Sequence, residues 1–518
     1  MHIFHVGRKV SLAGWVGLMG VWFSLTAGAQ TLRYESYREL AIPPDASLRI
    51  GPFYSELRYS QGIGYRYVTT SGEGVDLLYD DELGEIRKDG SDFPLTMAIY
   101  SRNYVLLNPD MDLDISFQVR FVYYPLDTQD DEWALELADE GLAARFGDFT
   151  FRLMREGWFG GYSKDAYSIY AADEGQGFSA DIGSEIALTP YVKTRIYTRP
   201  SYSVTYLDSR GYRDFQSGEK YEAFQNTAGV DLDWLVAKDK NVALSFDRTD
   251  TLPQNTNVVG SQQSVIQRAQ AVYEQRFDPD WLVGARAGVV SRDYPEGERG
   301  SQFQTDMEGF LVGQLTPFST LSAALGYSQV ELSDAGAYEE DGTADGVVGR
   351  INLRTQLAKT LWHAFSFSRL FTSGYQAGVD QVDEFRYSIY GSGDQTKVGF
   401  TTALREVTPE LTTINAHQNW VTQLTLTQPI DDLWSLHFSA AYEQRLNDDL
   451  EPGAPLDDDL TLEDDYDTLT LVVGTSYLWT KRSTISGFVQ HVERTSEDPL
   501  LEFERDTISL TLTWTYTF

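Results

Sequence analysis

The chain is 518 residues long and strongly acidic, with 77 Asp and Glu against 41 Lys and Arg and a formal net charge of −36, which argues against nucleic acid as a partner. It contains no cysteine, so neither disulfides nor thiolate metal sites contribute. A mean hydropathy of −0.33 is too polar for a helical membrane protein but suits a closed β-barrel, whose lipid-facing and lumen-facing residues alternate.

Arg8 and Lys9 open the chain as a basic n-region, Val10 to Thr26 is apolar, and Ala27-Gly28-Ala29 offers small residues for cleavage. This predicts a signal peptide over 1–29 and a mature chain from Gln30. The residue before the cut is alanine, not cysteine, which excludes a lipoprotein anchor. No later apolar run reaches the roughly 20 residues of a membrane helix. Aromatics make up 13% of the chain, with 31 Tyr, a composition that suits strands and bilayer interfaces.

After an N-terminal segment, 30–56, a barrel is expected over 57–518. Its first part, 57–176, is the less regular. Leu57, Tyr59, Ile63, Tyr65 and Tyr67 alternate, as do Leu113, Ile115, Phe117, Val119, Phe121 and Tyr123. Phe149 and Phe151 hint at a further strand within an acidic stretch. From 177 to 518 the chain reads as regular hairpins. Short polar turns fall near Pro190–Lys193, Ala237–Asn241, Asp278–Asp280, Thr316–Ser319, Ala358–Thr360, Gln428–Asp432 and Thr480–Ser483. Longer connections separate them: 208–220, 250–263, 292–301, 331–345, 446–465 and 493–504. Short periplasmic turns and long extracellular loops are the asymmetry of outer-membrane barrels. About fourteen strands follow Thr194, the stretch 372–417 has room for one more hairpin, and the total is expected at 16 to 20. The expected fold is therefore all-β, a transmembrane antiparallel β-barrel in the bacterial outer membrane, with acidic extracellular loops.

Five tryptophans, Trp234, Trp281, Trp362, Trp434 and Trp479, stand beside short turns, where an interfacial girdle is expected. Strand faces separate cleanly: Leu436, Phe438, Ala440 and Tyr442 oppose His437, Ser439, Glu443 and Arg445. The last segment, Thr507 to Phe518, alternates without interruption, with Ile508, Leu510, Leu512, Trp514, Tyr516 and Phe518 on one face. Its end resembles the assembly signal of outer-membrane barrels at Thr511, Tyr516 and Phe518, with Thr513 where that pattern prefers glycine. The resemblance implies the barrel-assembly machinery as a partner.

Over roughly 180–518 the pattern resembles the putative β-barrel porins found beside exopolysaccharide genes and in many marine bacteria. The units that carry it are Phe277-Asp-Pro-Asp-Trp281-Leu-Val-Gly284, Leu315-Thr-Pro-Phe318 and Ile430-Asp-Asp-Leu-Trp434-Ser-Leu436. The resemblance implies an outer-membrane barrel with porin activity; it names no site residue.

Chemistry is sparse. The histidines after residue 29 are His363, His417, His437 and His491, with no metal-ligand spacing and no HExxH, GxSxG or P-loop pattern. His437 beside Ser439 reads as polar wall, not as a catalytic pair, so no enzyme and no cofactor are expected. Asp448, Asp449, Glu451, Asp457, Asp458, Asp459, Glu463, Asp464 and Asp465 crowd one loop, and Glu331, Asp334, Glu339, Glu340 and Asp341 another. Carboxylate oxygens suit Ca²⁺ or Mg²⁺, and divalent cations bridging these loops to lipopolysaccharide phosphates are one reading. The loops lack the spaced ligands of a dedicated Ca²⁺ site, so the preferred expectation is a solvated, saline-adapted surface loop, and any metal there is unassigned. Pore-lining candidates are Arg268, Glu274, Arg276, Arg286, Arg350, Arg354, Glu443 and Arg445, joined by Asp231, Asp233 and Asp247. Unpaired charges of this number need a wet interior. Passive passage of small hydrophilic solutes is the expected function. The alternative is a non-conducting structural or surface-interaction barrel that displays acidic loops among outer-membrane lipid and lipopolysaccharide. A TonB-dependent transporter is disfavoured, because strands begin by about residue 57. Solute and oligomeric state are not legible.

Overall fold

The computed structural model describes residues 48–71, 90–108, 111–125, 132–138, 142–146, 149–161, 177–189, 191–207, 219–253, 263–295, 300–334, 341–373, 378–393, 396–411, 416–447, 465–496 and 502–517. The predicted signal peptide, Phe518 and most of the acidic loop residues lie outside these. Among the described residues there are 25 strand segments in one sheet and no helix.

The strands form where β-branched and aromatic residues alternate with polar ones, and the chain turns where short polar side chains hold the backbone. Asp278 Oδ1 accepts from the Asp280 amide at 3.0 Å, Thr316 Oγ1 from Phe318 at 3.2 Å, and Thr480 Oγ1 from Arg482 at 3.1 Å. Asp431 Oδ1 accepts from both Leu433 and Trp434, at 2.8 and 2.7 Å. Such side-chain-to-backbone turns are local and need no tertiary support, and each lies at a turn expected from sequence.

The N-terminal third joins the wall. β1 (Leu48–Ile50) pairs with the start of β2 (Phe53–Ser71), and β3 (Gly90–Asp92) and β4 (Leu95–Asn108) pair with β2 in succession along its other edge. β4 pairs with β5 (Met111–Tyr123). β6 (Glu132–Ala138) and β7 (Leu142–Phe146) share one position between β5 and β8 (Phe149–Gly161), and β8 leads to β9 (Gly177–Thr189). Sixteen further strands, from β10 (Val192–Leu207) to β25 (Phe503–Thr517), pair each with the next. β25 then pairs with β2 from Arg58–Thr517 to Ser71–Glu504, so the ladder returns to its beginning. A ladder that returns on itself pairs the first strand with the last, which is how strands in hydrocarbon avoid a lipid-exposed edge of unpaired amides.

β1 prolongs the column of β25, β3 that of β4, and β6 and β7 fill one column, so the 25 segments occupy 22 wall positions. This exceeds the expected 16 to 20. Part of the difference is a hairpin within 372–417, β19 (Val379–Ser392) with β20 (Lys397–Glu410), and part is the N-terminal third. With strands about 4.8 Å apart and tilted about 40°, such a wall is about 44 Å across between backbones.

Candidate functional site

Alternation assigns every described strand a lipid face and a lumen face. On the lipid side Val230, Leu244, Phe246, Met307, Leu325, Val347, Ile351, Phe385, Val473, Val489, Ile508 and Leu510 are exposed. Towards the long-loop end this apolar belt gives way on the same face to a polar collar: Arg248 with Asp250, Tyr327 with Asp345, Arg369 with Asp383, and Tyr442 with Asp467. An apolar belt below a charged collar, around a ladder that returns on itself, is the wall of an outer-membrane β-barrel. Among the described residues no helix is long and apolar enough to cross a membrane.

The lumen face carries the charge. In β14 (Trp281–Asp293), β15 (Ser301–Thr316) and β17 (Gly342–Ala358), Arg286 and Arg350 converge on one carboxylate, Glu308. Arg350 donates to Glu308 Oε1 at 2.6 Å across the intervening β16 (Ser319–Ser333). That reach is possible because Gly326 lies opposite Glu308: a Cβ there would sit 2.2 Å from the Met307 carbonyl oxygen and 2.6 Å from Glu308 Cβ. Arg268 pairs with Asp247 at 3.1 Å, and Glu384 with Arg386 at 2.8 Å. Arg195 and Arg199 flank the Tyr197 ring at 5.0 and 4.4 Å, with Asp231 opposite Arg195. Asp233 shares the face of Asp231, and Glu274 and Arg276 that of Arg268. Glu443 accepts from Asn419 Nδ2 at 3.2 Å. By register, the eight candidates, Arg354 included, share the strand face opposite the apolar belt. Arg445 is a partial exception: it is buried, with its guanidinium 6.0 Å from the Tyr466 ring, and lines packed interior, not open space.

The tryptophans divide. Trp234 and Trp479 are exposed on the lipid face, Trp434 lies 4.5 Å from Tyr477 on that face, and Trp281 covers Gly313, where any Cβ would meet its ring at 2.1 Å. Trp362 corrects the sequence expectation. Leu353 and Ile351 pair with Phe365 and Phe367 on the lipid side of β18 (Leu361–Ser373), so Trp362 points into the lumen. Its ring carries the Arg354 guanidinium at 4.5 Å. Of the assembly-signal residues, Tyr516 stacks on Tyr59 at the closing seam with ring centroids 6.4 Å apart, and Thr511 faces inward opposite Gly64.

At the long-loop end one hairpin leaves the wall. The pairing of β17 with β18 stops at Gly349–Arg369. Beyond it Phe371 and Val379 pack on Val330 and Ala344, with Val348 and Leu411 alongside. Gln302 Nε2 donates to the Gly378 carbonyl at 2.7 Å, and Gln304 Nε2 to that of Phe371 at 3.5 Å. Both glutamines lie on the lumen face, so the ends of β18 and β19 lean inside the mouth and narrow it. Arg292, His417, Arg494 and Arg505 are also buried near this end.

No family model matches the chain, and no curated protein matches it in sequence. Solved structures with similar folds include the ferric enterobactin receptor of Pseudomonas aeruginosa, at 10% identity and a TM-score of 0.48, covering 89% of this chain and 81% of that one. The siderophore receptor of Acinetobacter baumannii follows at 9% identity and 0.45, with 89% and 80% covered, and an iron transporter of Neisseria meningitidis at 8% and 0.42, with 88% and 82%. Likeness at this level says nothing about cargo.

The imagined His437–Ser439 pair does not form. The His437 ring reaches Ser435 at 3.1 Å, Thr427 at 3.3 Å and Ser476 at 3.4 Å, a hydroxyl cluster on the lumen wall. Across β24 (Ser483–Ser496) and β25, His491 lies 3.0 Å from Asp506, with Glu504 and Glu493 each 3.9 Å from its ring. This group stands on the outer collar. Linear spacing could not reveal it, because strand pairing alone brings residues 491 and 506 together.

Proposed function

We propose that the protein is a porin-like pore that passes small hydrophilic solutes passively through a charged lumen. The observation that carries this reading is the ladder of ion pairs on the inner wall: Arg286, Glu308 and Arg350, then Arg268 with Asp247, and Glu384 with Arg386. Charges cost several kcal/mol each in a dry interior, and a wall about 44 Å across is too wide for side chains alone to fill. Water between the charged rows satisfies both conditions. Outer-membrane transporters with walls of this size hold a plug; among the described residues, it is the inward hairpin ends that narrow this lumen. Opposed rows of charge set a transverse field that selects among ions and polar solutes. Bilayer lipid and lipopolysaccharide meet the belt and collar.

The decisive experiment is single-channel recording of the purified mature protein in planar bilayers. Discrete conductance steps are expected, and their absence from protein with heat-modifiable gel mobility would sink the reading. The buried mouth residues Arg494 and Arg505 favour a second reading, a covered, non-conducting barrel that serves as a scaffold for its loops. That reading expects no steps at any voltage and a surface-binding defect when residues 446–465 are deleted with barrel assembly intact.

A further inference from the structure

Of the five turn-side tryptophans, Trp362 is the one that turns away from the lipid, and what surrounds it is a shelf with open donors. It stands directly after the Lys359–Thr360 turn, so the shelf lies at the short-turn, periplasmic end of the lumen. Arg354 lies over its ring, and Tyr390, its register partner across β18 and β19, is 52% exposed on the same face. Lys397 joins them one ladder step further along β20, again on the lumen face.

Among the described residues Arg354 has no carboxylate partner, and its guanidinium lies on the Trp362 ring. The neighbouring lumen positions include Thr320, Gln356, Ala364, Ser388, Gly399 and Thr401, none of them acidic. The patch is therefore cationic in a chain of net charge −36. A guanidinium stacked on an aromatic face is fixed in plane, while the N–H groups at its edge stay free. That is the arrangement for gripping a carboxylate with two parallel hydrogen bonds. An exposed Tyr ring beside it offers a flat apolar surface for the body of the same molecule.

We infer that Arg354, Trp362 and Tyr390 form a binding shelf for small solutes that carry a carboxylate on a ring. Arg354 holds the carboxylate, Tyr390 supports the ring, and Trp362 is a positioning residue acting through Arg354. Two sources supply this chemistry, sugar acids and aryl carboxylates. The inference deepens the pore reading and gives the pore a preference at its inner exit.

The test uses the full mature protein in detergent micelles, with binding read by ligand-observed NMR. Binding in this form does not require conduction. The probes are galacturonate, benzoate, neutral galactose and acetate. At least one ring carboxylate should bind about tenfold more tightly than galactose and acetate. Arg354→Gln should abolish that margin and Arg354→Lys should not restore it, because ammonium lacks the fork. Trp362→Ala should weaken ring-carboxylate binding several-fold while Trp362→Phe preserves it, and Tyr390→Ala should bring the ring carboxylates down towards acetate. Binding of galacturonate alone, or of benzoate alone, supports the shelf and identifies its source. Equal binding of acetate and both ring acids, or unchanged binding in Arg354→Gln, overturns it. A barrel that binds but gives no conductance would refute the pore reading and leave the shelf standing.

Discussion

Glu308 is the one carboxylate between Arg286 and Arg350, and its neutralisation gives a signed, quantitative test of the charged lumen. Glu308→Gln keeps the side chain's shape and an acceptor oxygen, while the local charge of the triad rises from +1 to +2. An ion passing about 7 Å away in a water-like medium gains or loses about 0.6 kcal/mol from one added charge. At 0.1 M salt, screening over about 10 Å halves this. Anions then gain and cations lose about 0.3 kcal/mol each, and the anion-to-cation permeability ratio rises about threefold. At 1 M salt the screening length is about 3 Å and the change should vanish. The assay is the reversal potential across a salt gradient in planar bilayers, with heat-modifiable mobility confirming a folded barrel. No shift at 0.1 M, a shift towards cations, or a shift that persists at 1 M would refute the placement of this triad on a water-filled path.

Three further outcomes are expected. Gly326→Val places side-chain atoms against the Met307 carbonyl and Glu308 Cβ; overpacking of this kind costs about 1–3 kcal/mol or more, and the heat-modifiable folded form should be sharply depleted on gels. Gln302→Ala with Gln304→Ala removes two hydrogen bonds between the wall and the inward ends of β18 and β19, each worth about 1 kcal/mol. Open-channel current noise and mean conductance should rise, and an unchanged trace would show that the hairpin does not narrow the conducting path. Trp281→Ala strips the lipid-side cover from Gly313 and should cost about 1–3 kcal/mol of stability in urea unfolding from lipid vesicles. A neutral result there would mean that Trp281 is not buried at the interface.

The regular part of the barrel is legible because its information is local. Period-two alternation sets the faces, and Asp or Thr at the turns sets the ends; Asp278 and Asp431 make their turn bonds within three residues. The hairpin of β19 and β20 hides for the opposite reason. Where β18 gives way to β19 at the mouth, Phe371 and Val379 are buried inside the lumen, so apolar residues no longer mark the lipid face there. In the N-terminal third the wall is broken into short pieces, with Pro94 between β3 and β4, and β6 and β7 sharing one column. Arg286 and Arg350 are assignable to a face from sequence, but not to a partner. Glu308, which the sequence reading does not single out, is 22 residues from Arg286 and 42 from Arg350, and only the register joins them.

Trp362 shows which sequence signal deserves more weight. Nearness to a turn fixes how high a residue stands in the wall, and all five tryptophans pass that test. Which face a residue takes is fixed by parity. Trp281 and Trp434 are the first residues of their strands and face lipid, but β18 begins at Leu361, so Trp362 is its second residue. The sequence already contains the discriminating pattern. Phe365 and Phe367 sit an odd number of positions from Trp362, while Ala364, Ser366 and Ser368 share its parity. A one-residue shift reverses every face of a strand, so two phenylalanines further along the strand outweigh one tryptophan beside the turn. The same parity places Arg354 and Tyr390 on Trp362's side. A residue that breaks the girdle is thereby joined to a lumen arginine and tyrosine, and a girdle tryptophan in its place would leave Arg354 with no ring to lie on.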